Sequence, residues 1–225
     1  MLTRISGAVI ALVLAGTLTG CGIDTGANPG VAARVGDVIV SNRDVDQTSV
    51  NLCGAVEPQL QGQVVPMGYV RSAVVTNLLV REVADGIAEE YGVSAGDTYE
   101  EVAAAAEEQV ADLDEDEIDA YVLMNGTNQY VNDILLAAAE KSLAVEGVSA
   151  DQDPQLVQQR AGEIMAAWPV EQGVEFDPRY GVAFVDGQFA SVDTSISAPV
   201  SEVAQRASSE DTSWAAELPA GLRCG

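Results

Sequence analysis

Val31-Ala32-Ala33-Arg34-Val35-Gly36-Asp37-Val38-Ile39-Val40-Ser41-Asn42-Arg43-Asp44-Val45 reads as a strand, a tight turn, a second strand and the start of a helix. Val31, Ala33 and Val35 alternate with small or charged residues, Gly36-Asp37 supplies the turn, and Val38-Ile39-Val40 resumes a β-branched run. Ser41 stands where a helix N-cap belongs. Its hydroxyl can accept the orphan backbone N–H of Asp44, and the Asp44 carboxylate suits the positive first turn. A small antiparallel sheet feeding a helix is therefore the frame on which the rest of the chain is expected to pack.

The composition limits what that frame can serve. Ten basic residues face 35 acidic ones, for a formal charge of −25. A nucleic acid needs clustered Lys and Arg to displace its counterions, and this chain has one lysine, Lys141, so nucleic acid is excluded as a partner. Anionic headgroups would repel it as well. Apolar residues reach 48%, yet aromatics only 5%, which favours small-residue helix packing over stacking on bases or sugars. Histidine is absent. Ser-His-Asp and Cys-His catalysis, HExxH zinc proteases and nearly all imidazole metal sites go with it, and neither enzyme activity nor a cofactor or metal site is expected.

Residues 1–20 carry Arg4, the apolar run Ala8–Ala15 and then Leu18-Thr19-Gly20, followed by Cys21. The run is too short for a permanent span and fits a cleaved leader. Leu18-Thr19-Gly20-Cys21 resembles the bacterial lipobox, in which the cysteine takes a diacylglycerol and becomes the new N-terminus. Cys21 is thus the expected lipidation site, and several acyl chains there would give lasting attachment to the extracytoplasmic face of the membrane. Residues 21–30, rich in Gly with Pro29, read as a tether.

With Cys21 acylated, Cys53 and Cys224 remain, in a compartment where disulfides persist. We expect them to pair. A closed loop of about 170 residues stabilises the fold by roughly 5 kcal/mol in the chain-entropy model. The alternatives are two free thiols or a redox pair, the latter without a Cys-x-x-Cys motif.

The middle of the chain is helical. Val70, Val74, Leu78, Val83, Ile87 and Tyr91 recur near helical spacing from Pro66 to Tyr91, with Gly92 as the stop. Further helices are expected from Asp97 or Thr98 to Ala111, Asp114 to Met124, Thr127 to Glu146, and Asp153 or Pro154 to Trp168, with Pro169 closing the last. The repeated Gly-Val-Ser-Ala at 92–95 and 147–150 reads as shared helix-end chemistry. Gly92-Val93-Ser94-Ala95-Gly96 matches a nucleophile elbow in letters only, because a helix precedes it and no histidine base exists. Asp112–Asp119 lacks the glycine and the final glutamate of a calcium loop. Asn125-Gly126-Thr127 matches a glycosylation sequon but reads better as a turn plus a helix cap.

Val174-Glu175-Phe176-Asp177-Pro178-Arg179-Tyr180-Gly181 alternates and then turns, and Val182–Val185, Asp186-Gly187 and Gln188–Val192 form a hairpin signal. The opening stretch, this strand with its Pro-Arg-Tyr-Gly, and the hairpin, in that order with helices between, resemble the SurA-type extracytoplasmic chaperone module over about Val31 to Ser201. The resemblance implies a mainly α fold with a small antiparallel β-sheet, closed by pairing of the N- and C-terminal strands. Enzyme-bearing relatives insert a parvulin isomerase domain with paired histidines, and this chain has neither. What carries over is a helical chaperone domain at 31–200 that holds unfolded or extended exported polypeptides, with 201–225 as a C-terminal tail. A structural or assembly partner of one specific envelope protein is the alternative expectation.

Overall fold

The computed structural model describes residues 29–149, 153–193, 202–207 and 213–225; the leader and Cys21 lie outside them. Strand β1 (Val31–Val35) turns at Gly36 into β2 (Val38–Ser41). Helix α1 (Asn42–Val56) follows without a spacer because Ser41 ends the strand and caps the helix. Asp44 donates its N–H to Ser41 Oγ at 3.1 Å, and its carboxylate accepts the Ser41 hydroxyl at 2.7 Å.

After the two-residue strand β3 (Val65–Pro66) comes α2 (Met67–Tyr91), the central helix. Val74, Val75, Leu79, Val83, Ala84 and Ile87 are all wholly buried. Gly92 adopts the left-handed conformation, φ 58°, and Val93 N–H reaches back to Ala88 O at 3.0 Å. Gly147 repeats this device with Val148 N–H on Leu143 O at 2.9 Å, so Gly92-Val93 and Gly147-Val148 share one stop chemistry.

Helices α3 (Asp97–Gln109), α4 (Glu115–Val145) and α5 (Pro154–Gln172) complete the bundle, with α4 packed along α1, α2, α3 and α5. Two sequence expectations are corrected here. Asn125-Gly126 does not break α4: Asn125 Nδ2 and Thr127 Oγ1 bond the carbonyls one turn back at 2.8 and 2.6 Å, and Gly126 gives the Tyr99 ring room to approach. Pro169 does not end α5. It sits buried inside the helix, and the stop comes at Gly173, φ 75°, whose N–H bonds Pro169 O.

Gly173 delivers the chain straight into β4 (Val174–Phe176), which lies antiparallel to β1 in a sheet of order β2-β1-β4. Ala33 faces Phe176, and Val35 faces Val174. The mainly α architecture, closed by strands from the two ends of the domain, is thus present. A short 3₁₀ turn, Pro178–Tyr180, leads to the hairpin of β5 (Val182–Val185) and β6 (Gln188–Ser191), whose turn has Asp186 and Gly187 at positive φ.

The end of the chain is more than a tail. After α6 (Glu202–Ala207), Trp214 and Ala215 are buried, and β7 (Arg223–Cys224) pairs with β3, Val65 opposite Cys224. Cys53 and Cys224 form a disulfide with their Cα atoms 5.5 Å apart, tying α1 to β7.

Candidate functional site

Tyr180 explains why the Pro-Arg-Tyr-Gly segment has the residues it has. Asp177 caps the 3₁₀ turn by accepting the Arg179 N–H at 3.0 Å. Gly181 then takes φ 61° to redirect the chain into β5. Between them Tyr180 is driven between α1 and α2: its hydroxyl donates to Asn42 Oδ1 at 2.7 Å, and its carbonyl accepts the Ser72 hydroxyl at 2.6 Å. Burial raises its phenol above the usual tyrosine range, so it remains a neutral donor.

This pin holds the β5–β6 hairpin beside α2 with a groove of about 560 Å³ between them. Tyr69, Ala73 and Thr76 form the helix wall, and Phe189, Ala190 and Ser191 form the strand wall. Among the described residues, no charged side chain lines it, although the chain carries a net charge of −25. The Phe189 ring also packs on Phe184 and on Phe176 of β4, with ring centroids 4.8 and 6.0 Å away, which ties the hairpin to the first sheet. The groove can offer an apolar wall, hydroxyl groups and a strand edge.

A second polar cluster joins α2, α3 and α4. Arg81 lies over the Tyr130 ring, 3.8 Å from its centroid, and donates to the Tyr99 hydroxyl at 2.9 Å. Tyr130 donates its hydroxyl to Asp85. Burial, that bond and the Asp85 charge push the Tyr130 phenol up to about 12. Burial and Asp85 also raise the Glu82 carboxyl. With Tyr130 protonated at neutral pH and its hydroxyl committed to Asp85, this cluster locks three helices together.

The other sequence motifs take structural places. Gly92–Gly96 is a helix-to-helix connection, with the Gly96 and Tyr99 N–H groups capped by Asp133 Oδ2 at 3.1 and 3.0 Å. The acidic run supplies Asp114 and the first turn of α4. Lys141 donates to Gly92 O at 3.2 Å. Among the described residues, no group of histidine, cysteine or acidic side chains could hold a metal ion, and no helix is long and apolar enough to cross a membrane.

Sequence reading missed the groove itself. Its walls come from segments more than a hundred residues apart, Ser72 and Tyr180 being separated by 108, and no local pattern signals their meeting. It also missed Asp133 as a cap and Trp214 as a docking residue, both of which act across long separations. No known protein family, curated protein or solved structure matches the chain.

Proposed function

We propose that this protein is a membrane-anchored lipoprotein that acts as a non-enzymatic holdase of the SurA type for unfolded exported polypeptides. The observation that carries this reading is the open, uncharged groove between α2 and the β5–β6 hairpin. Such a surface accommodates varied extended segments by apolar contact and backbone bonding, without selecting one side chain. The resemblance to the SurA-type module over residues 31–201 supports the same reading, as does an acidic surface that keeps a client-bound chain in solution.

Aggregation assays on several unrelated unfolded substrates test it. Suppression of most of them at near-stoichiometric ratios is expected. Protection of a single envelope protein and no other would instead establish a dedicated assembly partner. The anchor is tested separately through Cys21, which lies outside the described residues. Cys21→Ser should leave the protein unprocessed or released from the membrane fraction, and a correctly cleaved variant that stays membrane-bound would refute the lipid anchor.

A further inference from the structure

The hairpin register determines which backbone groups of β6 are occupied. Val185 and Gln188 close the two-residue turn, and pairs that exchange hydrogen bonds alternate with pairs that do not. The bond from Val192 N–H to Gly181 O at 2.9 Å sets the phase. Ala183 and Ala190 therefore bond each other, whereas the N–H and C=O of Phe189 and Ser191 point away from β5. Among the described residues, no hydrogen bond from outside the hairpin reaches them.

In this two-stranded sheet each strand has one edge without a strand partner, β4 packing near β5 without pairing to it, and the edge that matters here is that of β6. It borders the groove against α2. Sheet edges are ordinarily blunted by lysine, proline or a bulge. The three-stranded sheet carries such an irregularity where β1 pairs with its outer strand β2, between Val31 and Ala33. The sequence of β6, Gln188-Phe189-Ala190-Ser191, has none. The exposed charges nearest it, Asp186 at the turn and Asp193 two residues past Ser191, are both acidic, the whole chain is strongly acidic, and among the described residues no charged side chain lines the groove. Those charges favour an occupant with basic flanks and uncharged residues between them.

We propose that β6 takes up an extended, lysine- or arginine-flanked client segment as an added strand, with alternate client side chains entering the groove toward Ala73 and Thr76. This names the binding mode of the holdase reading and rests on it. The client would contribute carbonyls to the N–H groups of Phe189 and Ser191 and N–H groups to their carbonyls.

The test uses the full mature chain and a fluorescein-labelled peptide in which valine and threonine alternate between lysine pairs, with binding read by anisotropy. Ser191→Pro removes an N–H that the hairpin does not use, at an edge position where proline is tolerated. Its affinity should fall by about tenfold or more, with the melting temperature nearly unchanged. The same peptide N-methylated at alternate residues should lose as much against the unaltered protein, which decides the matter even if Ser191→Pro folds poorly. Exchanging the lysine pairs for aspartates should weaken binding further. Absence of peptide binding, or affinity indifferent to both N-methylation and Ser191→Pro, overturns the proposal. So does concentration-dependent dimerisation that Ser191→Pro abolishes, which would make a second copy the occupant. Aggregation suppression that persists unchanged in Ser191→Pro leaves the holdase reading standing and removes this site. Edge-dependent peptide binding without suppression does the reverse.

Discussion

The two antiparallel sheets at the head of the molecule are built by the same pairing chemistry and end in opposite states. In β2-β1-β4 the central strand is bonded on both sides, and Ala32, Ala33 and Val35 are at most 2% exposed. In β5–β6 each strand has one partner, and none of the residues of β6 is buried. The first sheet uses its small side chains to let α1 and α2 close over it. The second is held at one end by Tyr180 and left open along one edge. Burial on a face together with pairing on both edges makes a structural element. Withholding one edge leaves a surface with unspent hydrogen-bonding capacity.

The sharpest way to break this contrast is to place the same charge in both sheets. Ala33→Asp puts a carboxylate on the buried central strand and should cost on the order of 4 kcal/mol or more, enough to abolish the folded state of a marginal domain. Ala190→Asp on β6 should cost less than about 1 kcal/mol. Thermal melts by circular dichroism compare the two directly, and equal losses would remove the distinction. Next in size is the covalent tie on the closed side. Replacing Cys53 and Cys224 together by alanine should lower stability by about 2–4 kcal/mol while leaving peptide binding at β6 intact. A non-reduced digest should yield the linked Cys53–Cys224 peptide, and recovery of both thiols in alkylated form would refute the bond. Ser41→Ala, at the junction of β2 and α1, should cost about 1 kcal/mol by denaturant titration.

The smallest effect is a pH dependence remote from both sheets. Because the Tyr130 phenol is raised to about 12 in the folded state, the unfolded chain loses this proton first as pH rises past about 10. The stabilisation is complete below that value and is lost as pH climbs toward 12. Tyr130→Phe should flatten this part of the stability curve, and an unchanged alkaline slope would dismiss Tyr130 as its source.

Local chemistry was legible and distant chemistry was not. The turn at Gly36, the Ser41–Asp44 cap, the glycine stops at Gly92 and Gly147 and the buried stripe of α2 can all be read from neighbouring residues. Asn125-Gly126 misled because the approach of Tyr99 rewards a glycine inside a helix, overriding its ordinary turn preference. Pro169 misled because it falls near the end of α5, where one lost bond is cheap and its ring is buried. The groove depends on Tyr180 reaching Asn42 and Ser72. The residues of that pin could be quoted from the sequence, but nothing in their spacing shows what they pin.

The long reach of the closing contacts also sets an order of events. Helix α4 packs on α3, which directly precedes it, and on α2, one element further back, so these contacts need little loop closure, whereas Ala33 must find Phe176 and Val65 must find Cys224. A chain produced from its first residue onward can assemble the helical centre while β1 still lacks its second neighbour. The strand that is most protected in the finished molecule therefore waits for its second neighbour until Val174–Phe176 is made, β3 waits longer still for Arg223–Cys224, and completion of the fold is timed by the arrival of these two segments.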